Sequence, residues 1–351
     1  MAYSTITKPS LHFNTKLYTG NGSAGHSITG VGFQPDFVWM KRRDGTKAHR
    51  LCDAVRGVTK LVQSSSTDAE QTDANTLTAF GADGFTLGDD NQGYGVNVSG
   101  QSMVSWNWKA GTGPGSSNTD GSINTTYTSV NTTAGFSISK YTGTGSNATV
   151  GHGLGVAPKM IIEKQIDSGS NDWGVYHASQ GAGKYTKFNT TEAFSSHTGV
   201  WQNVEPTNTV FSLGNSSLAN ASSGTHIAYC FAEKKGYSKF GSYTGNGNAN
   251  GTFIYTGFAP SFVIMKRTDS TGAWYTLDNK RPTYNPKDKY LSPNSSNAES
   301  TFTFWDFLSN GFKIRNTGAD NNNSGGSYIY MAFAEEPLVA NVGASIPATA
   351  K

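Results

Sequence analysis

Charge is scarce in this chain of 351 residues: Asp, Glu, Lys and Arg make up 15% of it, where roughly a quarter is usual. The 27 basic and 24 acidic residues nearly cancel, and a net charge of +3 is too small to draw a nucleic acid by long-range attraction. No nucleic-acid partner is therefore expected. The two cysteines, Cys52 and Cys230, sit at non-equivalent places, which excludes a repeated disulfide framework and reads as free thiols in a reducing compartment. No apolar stretch approaches membrane-spanning length, and Met1 to Ser10 holds no run long enough for an export signal, so neither insertion nor secretion is expected. The Asn-X-Ser/Thr triplets then reflect composition, not glycosylation. Helical periodicity with caps is also missing, apart from single turns at 178–183 or 53–59. The chain has no Gly-X-Ser-X-Gly elbow, no His-Glu-X-X-His helix and no phosphate-binding loop, and its seven His and two Cys form no ligand pair. No metal, no cofactor and no enzymatic activity are predicted.

What the chain does have is one element written three times. Tyr18-Thr-Gly-Asn-Gly22 recurs as Tyr141-Thr-Gly-Thr-Gly145 and Tyr243-Thr-Gly-Asn-Gly247. A Gly/aromatic/Pro element and an apolar strand follow: Gly32 to Lys41 around Pro35, Gly155 to Lys164 around Pro158, Gly257 to Lys266 around Pro260. Each copy ends on an aromatic strand, Val104-Ser-Trp-Asn-Trp108, Ile227-Ala-Tyr-Cys-Phe231 and Ile329-Tyr-Met-Ala-Phe333. Tripled elements usually present surface and do not build one enzyme pocket. Short strands joined by Gly/Ser/Thr/Asn turns, with 12% aromatics to fill a thin core, give an all-β fold class: three tandem antiparallel β-sandwich or jelly-roll-like modules. Phe37-Val-Trp-Met40 and Phe262-Val-Ile-Met265 read as strands buried on both sides, whereas Ser105 and Asn107, alternating with Val104, Trp106 and Trp108, predict one wet face.

Spacing locates the boundaries. Pro35 and Pro158 are farther apart than Pro158 and Pro260, and the Gly/Ser/Thr/Asn stretch from Gly111 supplies the excess. The predicted division is an N-terminal arm at 1–14, modules at 15–110, 134–235 and 236–336, a flexible or extended linker at 111–133, and a tail at 337–351. Each module is expected to close its own core.

Several patterns in the chain resemble sites of known chemistry. Gly20-Asn-Gly22-Ser-Ala-Gly25 has the spacing of a dinucleotide loop, but no helix start follows it and the sister loops lack the third glycine, so turn chemistry accounts for it. Asp320-Asn-Asn-Asn-Ser-Gly325 opens like a calcium loop but has Met331 where a carboxylate is needed. More persistent is Asp53-Ala-Val-Arg56 with Glu70, matched by Asp278-Asn-Lys-Arg281 with Glu299, where the second copy has His177 and Glu192. Paired carboxylates beside an arginine could bind sugar hydroxyls or flank a glycosidic bond. The alternative is a structural tie at a sandwich edge. Trp274, like Trp173, Trp201 and Trp305, could stack on a sugar or fill a core. The basic run Lys41-Arg42-Arg43, with Lys47, His49 and Arg50, reads as a solvated edge or as a patch for an anionic glycan.

The motifs Ile28-Thr-Gly-Val-Gly-Phe-Gln-Pro-Asp-Phe-Val-Trp39, Asp83-Gly-Phe-Thr-Leu87 and Trp106-Asn-Trp-Lys-Ala-Gly111 resemble an uncharacterised repeat domain of tail-fibre-like structural proteins from marine tailed bacteriophages. Lys239 to Gly247 and Ser327 to Glu335 look like its last module. The resemblance runs from about Phe13 to Pro337. It implies a virion component assembled in the host cytoplasm: a fibre, a tip, or a decoration of capsid or tail. It carries over no catalytic residues. The expected partners are copies of itself as a homotrimer, other virion proteins, and a host-surface glycan or protein. A tailspike-type glycan depolymerase using Asp53 with Glu70 or Asp278 with Glu299, and a soluble lectin, are the alternatives.

Overall fold

A computed structural model of the chain describes residues 4–337. The fold is nearly all β, and every pairing between its named strands is antiparallel. In the first segment a sheet runs in the order Phe13–Thr19, Ser102–Trp108, Phe37–Arg42, Arg50–Asp53. The third repeats this order with Ser238–Thr244, Ser327–Pro337, Phe258–Arg267 and Trp274–Asp278. The second has the same four at its centre, Phe136–Thr142, Thr225–Phe231, Met160–Gln165 and Trp173–His177, widened to seven strands. Over the outer face of each lies a smaller sheet, such as Phe253–Tyr255, Gly311–Ile314, Ser300–Leu308 and Lys287–Tyr290 in the third. The helices among the described residues are short: single α turns at Thr198–Trp201, Ser217–Asn220 and Ala319–Asn322 and a 3-10 turn at Pro9–Leu11, none at the places the sequence suggested and none long enough to cross a membrane.

The strand period of two explains where the core sits. On Phe37–Arg42, Phe37 and Trp39 point one way and Val38 and Met40 the other. On the third copy's strand, Phe262 and Ile264 oppose Val263 and Met265. The outward sets fill three separate cores under the small sheets. The inward sets do not. Phe37, Trp39, Trp106 and Trp108 of the first segment, Phe136, Ile162, Tyr229 and Phe231 of the second, and Phe262, Ile264, Met331 and Phe333 of the third belong to one cluster. The expectation that each copy closes its own interior is thus corrected: each closes its outer core alone and builds the inner one jointly. Trp108 shows why, since its ring packs against Phe13 and Phe37 of its own segment, Phe231 of the second, and Phe262 and Phe333 of the third, at 4.7 to 6.3 Å between centroids. An aromatic face this large has no stable place against water.

Backbone bonds close the ring of segments at corresponding positions. Glu70 N donates to Ile166 O at 2.7 Å, Phe194 N to Thr268 O at 3.0 Å, and Glu299 N to Arg43 O at 2.7 Å. First meets second, second meets third, and third meets first.

Three further expectations change. The predicted wet face is dry: Ser105 and Asn107 are fully buried, and the Asn107 amide donates to Asn14 O and to Ser105. Of the N-terminal arm at 1–14, residues 4–14 pack onto the molecule, with Ile6 and Phe13 in the shared core. The 111–133 stretch is held in place. The Asp36 carboxylate accepts from the N–H groups of Ala110, Thr112 and Gly113 at 2.7, 3.0 and 2.7 Å, and Tyr127–Asn131 is a strand of the second sheet. Polar composition does not separate a linker from a segment ordered by backbone bonds. Beyond Pro337, the predicted tail lies outside the described residues.

Because the inner core is common property, truncating it should unfold all three segments together. Trp108→Ala is expected to cost about 3–5 kcal/mol. In urea titration, tryptophan fluorescence and far-ultraviolet dichroism should shift as one coincident transition. Separate transitions for the segments would contradict a shared core.

Candidate functional site

The Asp–Arg constellations lie where the segments meet, not in a cleft. Asp53 follows its strand directly into a turn, and its carboxylate accepts from Arg56 N and Arg56 Nε at 2.9 and 2.5 Å and from the Tyr229 hydroxyl of the second segment at 2.7 Å. In the third segment Asp278 accepts from Arg281 N and Nε at 2.9 and 2.7 Å and from Trp106 Nε1 of the first at 3.0 Å. His177, at the corresponding place in the second, approaches Tyr330 O of the third at 3.3 Å. All four Asp and Arg side chains have no exposed surface. Glu70 and Glu299 complete the pattern through Arg56 and Arg281, each at 3.3 Å, and Glu299 also takes a bidentate contact from Arg43 across the closing interface at 2.9 and 3.0 Å. Burial pushes the Asp278 carboxyl up, but the Arg281 guanidinium and the hydrogen bonds from Arg281 and Trp106 outweigh it and hold it below its usual range. Asp278 is therefore held as an anion tied to Arg281. Neither pair faces an open cleft of the kind that two glycosidase carboxylates need. Of the two readings open for Asp53, Arg56, Glu70, Asp278, Arg281 and Glu299, this internal pairing favours the structural tie.

For Trp274, the placement favours the reading that it fills a core. It is 1% exposed and its Nε1 donates to Lys187 O of the second segment at 3.1 Å, just as Trp173 Nε1 donates to Gln63 O of the first at 2.9 Å. Trp201 and Trp305 are buried as well. The basic run is not a free patch. Lys41 donates to the carbonyls of Arg42 and Gly45, Arg42 pairs with Asp44, Lys47 donates to Gly93 O, and Arg50 lies over the Tyr94 ring. A buried His226–Glu163 contact of 2.5 Å between neighbouring strands of the second segment's main sheet has the spacing of an acid–base pair, but both side chains are fully enclosed.

The Tyr-Thr-Gly-X-Gly loops are anchored by residues the sequence reading missed. Asn97, Asn220 and Asn322 are buried, and each accepts through its side-chain oxygen from the X residue: Asn21 N at 3.0 Å, Thr144 N at 2.7 Å, Asn246 N at 3.0 Å. The tyrosine hydroxyl donates to the carbonyl just before the asparagine, on Val96, Ala219 and Asn321. The second glycine takes φ of +65° to +69°, and a Cβ on the first would collide with the backbone beyond the asparagine. Turn chemistry therefore accounts for both glycines. The signal was available, because each asparagine follows its X residue by the same 76 positions.

A concave feature of the third segment is left unused by this framework. On the outer face of the third segment, Tyr275, Tyr290, Phe302 and Phe304 wall an open recess of about 320 Å³, with Asp320 and Asn321 among its lining. The rings touch one another at 4.9 to 5.3 Å between centroids. The Tyr275 hydroxyl donates to Asp320 at 2.7 Å, and burial together with that carboxylate raises its pKa. Asn321 is 2% exposed and its side-chain oxygen has no hydrogen-bond partner among the described residues.

Compared with known families, residues 8–337 match the model of a domain of unknown function (DUF7483). The chain belongs to that family. No curated protein matches it. Membership spans all three segments and so covers both the ring of buried pairs and the recess.

Two outcomes follow from the buried pairs. Asp278→Asn, which strands a buried guanidinium, should destabilise the protein by about 3–5 kcal/mol in denaturant titration. Burial lowers the His177 pKa from 6.5 to about 4, only partly offset by the Tyr330 carbonyl. The unfolded chain therefore binds a proton that the folded one refuses, so stability is full above 6.5 and falls as pH drops toward 4. The loss is about 1.4 kcal/mol per unit, on the order of 3 kcal/mol in all. His49, His12 and His152 act in the same direction. Urea titrations stepped through that window should show the slope, and His177→Asn should reduce it.

Proposed function

We propose that this chain is a structural protein of a bacteriophage particle, serving as a tail fibre, a tip or a capsid or tail decoration that holds β lobes toward the host surface and attaches to glycan there. The observation that carries the reading is the complete internal pairing of the two Asp–Arg constellations at segment interfaces. Groups that a hydrolase would spend on substrate are spent here on joining the lobes. That leaves a rigid body whose outward loops are polar turns, together with one open aromatic recess. Such a body suits display. The sequence resemblance to tail-fibre-like proteins supports the placement on a virion.

In this reading copies assemble as a homotrimer with other virion proteins in the host cytoplasm, and weak contacts combine through effective concentration. The depolymerase alternative draws less support, since Asp53 with Glu70 and Asp278 with Glu299 each share one arginine, with no free carboxylate pair between them. The test is imaging of purified particles with an antibody to the chain, alongside the protein's mass in solution. Labelling at fibre, tip or shell and a mass of three copies are expected. Particles that carry none of the chain would end the reading.

A further inference from the structure

We infer that the recess on the third segment is a binding site for one ring of a neutral sugar, held by Phe302 and Phe304 on its face and by Asp320 on its hydroxyls. The inference names the glycan contact of the attachment function proposed above and rests on that reading for the source of the sugar. Its chemistry stands on the recess alone.

The recess lies at a break in the repeat. Asp53, His177 and Asp278 occupy corresponding places, so Arg50, Gly174 and Tyr275, three residues earlier on each strand, correspond too. Counting two back from the anchoring Asn97, Asn220 and Asn322 pairs Gly95, Leu218 and Asp320. In the first segment Arg50 covers this place by lying 4.8 Å over Tyr94. In the second, Leu218 sits over Gly174, within 3.5 Å of where a Cβ would stand. Both are closed by their own side chains. Only the third copy puts an aromatic and a carboxylate there, and it leaves the space open.

Hydrogen-bonding capacity points the same way. The Asn321 side-chain oxygen is enclosed and takes no part, but the Asn321 backbone, fixed by the Tyr243 hydroxyl, holds the neighbouring carboxylate in place. Beside it Asp320 offers acceptor capacity beyond its bond to Tyr275. A ligand that fits must therefore bring O–H donors on one edge and an apolar face for the rings. Sugar rings have both.

The recess is not built for an ion. Ring centroids 4.9 to 5.3 Å apart are in mutual contact, so they form a wall and cannot enclose a quaternary ammonium between them. Asp320 also lies within electrostatic range of Lys266 and Arg267, and Arg267 donates to Ala319 O at the recess edge. Neither sign of charge prevails. The volume sits at the lower end of the roughly 300–1,000 Å³ of small-molecule sites, which suits a sugar unit at the end or bend of a chain.

The test uses the whole chain. It would be titrated with the methyl glycosides of glucose, galactose, mannose and N-acetylglucosamine, and with choline and N-acetylneuraminic acid as charged probes, by saturation-transfer NMR. At least one neutral glycoside should receive saturation at its ring C–H groups, and neither charged probe should. Asp320→Asn and Phe302→Ala should each weaken binding about tenfold or more. Phe302 is 46% exposed, so its truncation leaves the fold intact and keeps the test informative if Asp320→Asn disturbs Tyr275. Unchanged affinity in both variants, a preference for choline, or no binding of any probe overturns the inference. Host-cell attachment that survives in both variants would overturn it while leaving the attachment function standing. Particles lacking the chain would remove that function, and sugar binding by the isolated protein would still support the site.

Discussion

Everything in this molecule depends on three sheets having to share one aromatic interior. A four-stranded sheet with Phe37, Trp39, Trp106 and Trp108 on one face cannot leave that face in water, and its own small outer sheet already covers the other. Each segment solves the problem with its two neighbours. The ring of N–H to carbonyl bonds from Glu70, Phe194 and Glu299 is the consequence, since sheets held together by their faces bring the same loops into register at every junction. The dry interior also decides what happens to charge. Asp278 can be ionised there because Arg281 lies beside it and Trp106 donates from across the junction, and Asp53 meets Arg56 and Tyr229 in the same arrangement.

Much of this was legible in the chain. The all-β class followed from strand-period apolar runs, and the doubly buried strands followed from Phe37 to Met40 and Phe262 to Met265. The outcome for Ser105 and Asn107 shows the limit. Alternation identified which residues share a face but said nothing about what covers it, and a polar face bonded to a neighbouring strand looks the same in sequence as one bonded to water. The choice between a flexible and an extended 111–133 stretch meets the same limit, because Asp36 fixes residues 110–113 through backbone N–H groups that composition does not register. The shared core could not be read at all. Nothing in the order of residues distinguishes an aromatic that packs within its own copy from one that packs against the next.

The candidate sites divide along a similar line. Asp53 and Asp278 drew attention because they recur, yet recurrence here marks a junction repeated at two of three interfaces. The recess lies where recurrence fails, at Tyr275 and Asp320, whose counterparts are Arg50 with Gly95 and Gly174 with Leu218. A search for repeated chemistry passes over such a place. Comparing the copies for departures finds it.

The architecture explains why a departure is tolerated there. A change at Trp108 is felt by all three segments, and a change at Asp278 reaches Trp106 in another. By contrast, Tyr275 and Tyr290 pack on the third segment's own outer core, which shares no member with the outer cores of the other two. Substitutions on that surface alter local packing without propagating through the ring. The loop that carries Asp320 and Asn321 is also pinned from behind, by Asn322 to the Asn246 loop and by the Tyr243 hydroxyl to the Asn321 carbonyl. A rigid backbone under a freely variable surface meets the requirement for a preorganised binding site. The aromatic ring therefore supplies the stability, and the outer face of one copy is left free to acquire a contact the other two lack.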